Sequence, residues 1–341
     1  MQRGKTDDLM FAAGKKEDFN EREVIQSYMC TRFYILPGSP SQELIAEKAR
    51  RSPVLKRFLL NKQADAAARD SSGGIPPAGS AGSAFHSSGE ISPADSAASV
   101  LHSSGEIRPT DVVPVLAPDR NRNPEVYPMR WGFRLAGRGP GGQRGAVENR
   151  SMLVVNARVE TAAQKPSFRD AWLRHRCIVP ASCYFEWDHF VDEKGRKKAG
   201  QKFAICPGNA LRMSEQLRAQ KELSIEEEEN QYTLQNFLDG IPEETHRLPA
   251  AAPVLPEGDF FRFLSEQNLS DITWLCGLYR IEEGLPVFVV LTREPGTELS
   301  QIHDRMPLIL AQEDAFEWIR PDADPASFLS RSLTKMDFAP V

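Results

Sequence analysis

Short runs rich in β-branched and aromatic residues recur from about residue 126 to residue 310, and they constrain the fold more than any other feature. Such runs are typical of β-strands. They do not alternate with regular helical patterns, which argues against repeated βαβ units. The predicted strands are 126–133, 153–161, 177–179, 183–190, 202–206, 274–280, 286–292 and 307–310.

Two further strands and three helices complete the predicted framework. Residues 32–36 and 112–116 read as strands, and residues 168–173 and 314–319 as helices. After residues 37–38, Ser39 stands at an N-cap position with Pro40 at N1 and Gln42 at N3, which predicts the start of a helix. The fold class is therefore α+β: a curved, mainly antiparallel sheet or partly closed barrel, with peripheral helices.

Two long insertions interrupt this pattern. Residues 64–106 are rich in Ser, Ala and Gly and contain the first of two near-copies, at 86–95 and 102–111. Two copies are too few for a solenoid, so we expect one copy to join the fold, and we choose the second because it leads into the strand at 112. Residues 209–271 form an acidic insertion, in which the Glu run at 226–229 predicts a solvated helix or loop face.

Composition narrows the functional classes. The chain has 341 residues, 40 % of them hydrophobic, and a net charge of −5. Residues 209–270 hold five Lys or Arg against twelve Asp or Glu, so the remainder is mildly basic and a nucleic-acid partner is not excluded. No apolar run is long enough for a membrane span or a secretory signal, so we expect no membrane partner and a cytoplasmic location.

Five cysteines occur without CxxC or Cys/His ligand spacing, which predicts reduced thiols, no structural metal and no other cofactor. Cys177, Cys183, Cys206 and Cys276 lie in apolar runs and are expected to be buried core residues. Cys30 differs because it directly follows Met29. If translation started at Met29 and that residue were removed, Cys30 would carry a thiol and a free amine on adjacent carbons, a pair that reacts with aldehydes.

Polar residues within the predicted strands mark a candidate site. On a strand, Asn156, Arg158 and Glu160 share one face, which is either solvent-facing or a site wall. Glu186 stands between two aromatic residues in an apolar run, where its pKa would rise toward a value suited to proton transfer. By itself, His303 is more simply read as a structural residue.

Four ordered motifs resemble one known family. They are MCTRF at 29–33, VVNARVET at 154–161, RCIVPASCYFEW at 176–187 and IHDRMPLIL at 302–310, with weaker matches at 130–133 and 275–279. This ordered set resembles the abasic-site processing proteins, also called the SOS-response-associated peptidase (SRAP) family. The resemblance covers residues 29 to about 319, and both insertions fall between the matching motifs.

The resemblance implies a function in the DNA damage response. Proteins of this family capture abasic sites in single-stranded DNA as a covalent thiazolidine, and the resemblance implies peptidase (hydrolase) and lyase-type activity. The implied catalytic residues are Cys30 as the double nucleophile, Asn156 for orientation, Glu186 for proton relay and His303 for ring opening. The implied DNA contacts are Arg32, Arg158 and Arg305 to phosphates, with Trp131 and Phe133 as candidates for packing on bases.

The predicted organisation follows from these assignments. Residues 1–28 are expected to be a leader that is removed or not translated, residues 29–320 a single SRAP-like domain acting as a monomer, and residues 321–341 a C-terminal tail. Two other readings stay open. One is a conventional cysteine hydrolase that uses Cys30 with His303 and either Glu186 or Asn156. The other is a non-catalytic module that binds single-stranded DNA.

Overall fold

A computed structural model describes residues 31–70, 100–136, 151–235, 260–267 and 269–341. Within these ranges the chain forms fifteen strands and seven α-helices. The strands are β1 Phe33–Ile35, β2 Gly105–Ile107, β3 Val112–Pro118, β4 Pro124–Trp131, β5 Phe133–Ala136, β6 Ser151–Val154, β7 Asn156–Arg158, β8 Arg176–Ala181, β9 Cys183–Val191, β10 Lys197–Cys206, β11 Thr273–Glu282, β12 Leu285–Arg293, β13 Met306–Pro307, β14 Ile309–Leu310 and β15 Asp337–Pro340. The helices are α1 Pro40–Arg50, α2 Pro53–Asp70, α3 Val159–Ala162, α4 Arg169–Arg174, α5 Ala210–Gln235, α6 Phe260–Glu266 and α7 Gln312–Trp318.

Five strands close on themselves to form a barrel. The hydrogen-bonded order is β12-β4-β3-β8-β11, and β11 pairs again with β12. All of these pairings are antiparallel except that of β4 with β12. Side chains such as Val115, Val179, Leu275 and Phe288 are fully buried and pack in one apolar cluster. The prediction of an α+β fold with a partly closed, mainly antiparallel barrel is confirmed.

A second sheet lies beside the barrel and has the order β15-β10-β9-β1-β2. Phe33 in β1 pairs with Ile107 of β2 on one side and with Tyr184 of β9 on the other. Because β2 belongs to the second of the two near-copies, the prediction that this copy joins the fold is confirmed. The first copy lies outside the described residues.

The predicted strand 153–161 is wrong in its extent. The segment forms β6 and β7, and the chain then turns into helix α3 at Val159. Glu160 therefore does not share a strand face with Asn156, and it projects from the first turn of a helix instead. The predicted strand 126–133 is likewise interrupted, at Gly132, whose φ of 119° favours glycine and allows the chain to bend between β4 and β5.

Helices cover the outside of the sheets. The Ser39 hydroxyl accepts a hydrogen bond from the Gln42 backbone N–H at 3.2 Å, which confirms the predicted helix start. The predicted helices near residues 168 and 314 correspond to α4 and α7. Among the described helices, none is both long enough and apolar enough to cross a membrane.

The acidic insertion and the predicted tail both contribute to the fold. Helix α5, in the insertion, packs against β10 and β15, and the run 226–229 lies within it. Residues 337–340 of the predicted tail form β15, which pairs with β10 from Phe203 to Cys206. The segment after residue 320 thus contributes an edge strand, β15, to the second sheet.

Candidate active site

Strand β9 carries the most unusual carboxyl group of the site. Glu186 is only 5 % exposed, and its Oε1 finds no hydrogen-bond partner among the described residues. Burial raises the pKa of Glu186 well above its ordinary value, and the nearby Asp304 carboxylate raises it further. The environment predicted from the flanking aromatic residues is confirmed. A carboxyl group in this state favours its protonated form and is suited to donate a proton.

Asp304, whose charge acts on this carboxyl group, belongs to the segment 303–305. The imidazole of His303 is largely buried, and its Nδ1 lies 3.1 Å from Asp304 Oδ1 and 3.1 Å from the Arg305 backbone N. The Arg305 N–H donates to Nδ1, which places the proton of a neutral imidazole on Nε2. When His303 is protonated, Nδ1–H can instead donate to Asp304. Two protonation states of His303 therefore each have a partner within the segment.

Arg305 is the third residue of the same segment. Its guanidinium donates to both oxygens of Glu160, each at 2.9 Å, and to the Thr292 carbonyl at 2.7 Å. The Arg305 side chain is 8 % exposed, whereas that of Glu160 is 44 % exposed. Burial opposes ionisation of Glu160, but the bonds and charge of Arg305, together with the charge of Arg158, lower its pKa overall. Glu160 is thus held as a carboxylate, chiefly by its two hydrogen bonds to Arg305.

Strand β7 brings the predicted Asn156 and Arg158 to this region. It runs parallel to β12, with Asn156 opposite Val290 and Arg158 opposite Thr292. Asn156 is buried and Arg158 is exposed. Because Arg305 bonds the carbonyl of the same Thr292, the pairing places Arg158 and Arg305 along one end of β12.

Arg32 occupies a second cationic cluster, at β1. Its Nε donates to Glu106 at 2.9 Å, and Lys202 Nζ bonds the other oxygen of Glu106 at 2.7 Å. Lys202 also lies 3.7 Å from the ring centroid of Phe185. Glu106 was not predicted from the sequence, because its hydrogen bond with Arg32 joins residues that are 74 positions apart.

Trp131 and Phe133, the two predicted base contacts, are core residues in the structure. Trp131 is 1 % exposed, donates from Nε1 to the Val155 carbonyl and stacks on Phe288. Phe133 is fully buried and packs beside Phe168. Neither ring is presented to a ligand, because the hydrophobic cluster that each one fills is closed around it. The core role replaces the predicted role in DNA contact.

Cys30 lies outside the described residues, the first of which is Thr31. At that point the chain is already tied to β9, because the Phe185 backbone N donates to the Arg32 carbonyl at 3.0 Å. Arg32 is therefore paired one residue away from Glu186. The remaining cysteines, at 177, 183, 206 and 276, are free and buried, as predicted. No cluster of three or more His, Cys, Asp or Glu suited to a metal ion occurs in the described ranges.

The described residues thus form an α+β protein with a closed barrel, a second sheet and a buried carboxyl group on β9. The sequence model of the family "SOS response associated peptidase (SRAP)" matches residues 29–341. The chain belongs to the SRAP family.

Curated relatives carry the name "abasic site processing protein". YoqW of Bacillus subtilis is 23 % identical over 186 residues, which is 54 % of this chain and 55 % of the relative. YoaM of the same organism is 25 % identical over 189 residues, with the same shares. The chain thus spans about half the length of the curated relatives it matches.

Solved structures are also similar to this chain. A protein from Bordetella bronchiseptica is 14 % identical, with a TM-score of 0.42, over 92 % of this chain and 99 % of that protein. A protein from Bacteroides thetaiotaomicron is 18 % identical, with a TM-score of 0.39, over 71 % of this chain and 80 % of the other.

Proposed function

We propose that this protein processes abasic sites in single-stranded DNA by capturing the ring-opened sugar as a thiazolidine on Cys30. Membership of the SRAP family and the printed names of the relatives support the substrate class. The observation that carries the proposal is the hydrogen bond between Phe185 N and Arg32 O. It ties the chain that directly follows Cys30 to the strand that carries a buried, proton-donating Glu186.

The proposed reaction needs no oxidant or reductant. The amine of Cys30 attacks the C1′ aldehyde of the opened sugar, and the carbinolamine loses water to form an imine. The Cys30 thiol then adds its sulfur to the imine carbon, and its proton passes to the nitrogen. The product is a five-membered thiazolidine, and one water molecule is released.

Each residue of the site has a separate role in the proposed reaction. Glu186 donates the proton that allows the carbinolamine hydroxyl to leave as water, a role that suits a carboxyl group with a raised pKa. His303 assists opening of the sugar ring, and its two partners at Nδ1 allow it to act in either protonation state. Asn156 orients the nucleophile or the opened sugar. Arg158, which is exposed, contacts phosphate.

The mechanism requires a free amine on Cys30. Hydrolysis of the Met29–Cys30 peptide bond, or translation from Met29 with removal of the initiator, would release it. The peptidase label of the family fits the first route. Intact-mass measurement of the purified protein tests this requirement. Protein that retains residues 1–29 and still forms the crosslink fully would overturn the terminal-amine mechanism.

A denaturing gel tests the function itself. The protein is incubated with a single-stranded oligonucleotide that contains one abasic site, and a band that survives denaturation is expected. The band should disappear in Cys30→Ala, whereas Cys276→Ala, which alters a buried thiol of the barrel, should retain it. Peptide or ester cleavage without a band would indicate a conventional cysteine hydrolase. Salt-sensitive binding alone would indicate a non-catalytic DNA-binding module.

A further inference from the structure

We propose that Glu160 occupies the binding position of a DNA phosphate, and that it must leave Arg305 when the strand binds. This inference rests on the proposed function, because it assumes that DNA crosses the end of β12. It assigns Glu160 the role of an internal competitor that lowers affinity for undamaged DNA. Arg305 then becomes available to phosphate only when a bound strand displaces the carboxylate.

The geometry of the ion pair supports this role. Both terminal nitrogens of Arg305 donate to the two oxygens of Glu160 at 2.9 Å. A planar guanidinium binds carboxylate and phosphate with the same two-pronged geometry, so one anion can replace the other. Arg158 also acts electrostatically on Glu160. The carboxylate therefore holds a position against the Arg305 guanidinium in which a phosphate would also be favoured.

The two partners differ in their freedom to move. Arg305 is 8 % exposed and stays anchored by the Thr292 carbonyl at 2.7 Å, independently of Glu160. Glu160 is 44 % exposed and lies in the first turn of a four-residue helix. The carboxylate can rotate toward water while the guanidinium remains in place. A buried guanidinium that loses its carboxylate needs another anion, which a strand phosphate would supply.

Displacement of Glu160 would also affect the orientation of His303, the proposed catalytic histidine. The backbone N of Arg305 donates to His303 Nδ1, so the residue that would bind phosphate also orients the imidazole. The exchange of carboxylate for phosphate would occur two residues from His303. Binding of the strand by the Arg305 side chain and alignment of His303 by the Arg305 backbone N–H are thus linked through one residue.

The test is the affinity of Glu160→Gln for an undamaged single-stranded oligonucleotide, measured by fluorescence anisotropy at several salt concentrations. Glutamine has nearly the same shape but no charge, so it competes poorly with phosphate. We expect binding tighter by on the order of fivefold at low salt, and a salt slope steeper by about 0.7, the contribution of one additional phosphate on a single strand. Affinity equal to or weaker than that of the wild type would overturn the proposal.

Two controls separate this effect from a general change in charge. Glu266→Gln removes the same charge from an exposed ion pair with Arg262 on α6, and it should change the affinity less than twofold. Combining Glu160→Gln with Arg305→Lys should abolish most of the gain, because a lysine lacks the two-pronged geometry. A gain that persists in full in the double variant would show that Arg305 does not carry the effect.

The same measurement distinguishes failure of this inference from failure of the proposed function. A wild-type protein that binds no single-stranded DNA and forms no crosslink would contradict the proposed function. A wild-type protein that binds and crosslinks, with Glu160→Gln binding no more tightly, would contradict the role of Glu160 alone. Thermal unfolding of each variant establishes that it is folded under the assay conditions.

Discussion

Glu186 and Glu160 are the same residue type, and each interacts with a residue of segment 303–305, yet their surroundings drive their pKa values in opposite directions. Burial raises the pKa of Glu186, and the nearby Asp304 carboxylate raises it further. Glu160 is partly exposed and bonded to Arg305, so its pKa falls. Environment, not residue type, therefore favours the protonated form of one carboxyl group and the ionised form of the other.

The three consecutive residues 303–305 interact with both carboxyl groups or with each other. Asp304 acts on the buried carboxyl group, Arg305 binds the exposed one, and His303 contacts both neighbours through Nδ1. Proton transfer and phosphate binding are thus proposed to meet at His303. The following four predictions test how separate the two sides are.

The largest expected effect is a difference in crosslinking rate between variants of the two carboxyl groups. Glu186→Gln should slow crosslinking by about a hundredfold, because the amide cannot donate the proton that releases water. Glu160→Gln should change the single-turnover rate by less than about tenfold at saturating protein, since its role lies in binding. A denaturing gel sampled over time measures both rates. Similar losses in the two variants would remove the functional distinction between them.

Arg305→Lys should have the next largest effect. Lysine keeps the charge but cannot bind both oxygens of Glu160 and the Thr292 carbonyl together, so we expect a loss of about 2 kcal/mol in the free energy of unfolding. Urea unfolding measures this change. Arg262→Lys, on an exposed ion pair, is the matched control and should lie within about 0.5 kcal/mol of the wild type. An equal loss in both variants would contradict a special role for Arg305.

The dependence of stability on pH should differ in sign between the two sites. The pKa of Glu186 is raised on folding, so its contribution is present below the unfolded pKa and is lost as pH rises through the folded pKa. The pKa of Glu160 is lowered, so its contribution is present above the unfolded pKa and is lost as pH falls through the folded pKa.

Thermal unfolding between pH 4 and pH 8 checks these signs. Relative to the wild type, Glu186→Gln should gain melting temperature as pH rises, because it removes a group that is costly to ionise in the core. Glu160→Gln should lose melting temperature near neutral pH by an amount that shrinks toward acid pH, corresponding to about 1 kcal/mol at most. Parallel curves for the two variants would contradict the opposite pKa shifts.

The smallest effect is expected from Asp304→Asn. The Asp304 side chain is 84 % exposed, so its charge is largely screened. Removing that charge should lower the pKa of Glu186, and the fall in crosslinking rate at high pH should begin at a lower pH. The change at neutral pH should stay within about threefold and diminish with added salt. A profile that shifts to higher pH would contradict the assigned electrostatic contact.

The fold could be predicted from the sequence to the level of its class. The predicted strands, the helix start at Ser39 and the strand in the second near-copy all have counterparts in the structure. These features could be predicted because strand propensity and helix capping depend on residues close together in the sequence. The extent of strand 153–161 was wrong, since its final residues turn into α3 although they still read as a strand in sequence. The strand formed by residues 337–340 was not predicted, because its pairing with β10 is made across more than 130 residues.

The sequence by itself determined the motifs and the types of side chain at the site. Residue chemistry marked Asn156 and Glu186 as candidates, and the resemblance of the ordered motifs to a known family added His303. The apolar setting of Glu186 predicted its raised pKa. Tertiary structure decided which charges meet. It buried Trp131 and Phe133 in the core, joined Arg32 to Glu106, and placed Glu160 against Arg305, 145 residues away. Such contacts depend on barrel closure and strand order, which bring distant segments within hydrogen-bonding distance and leave no local signal in the sequence.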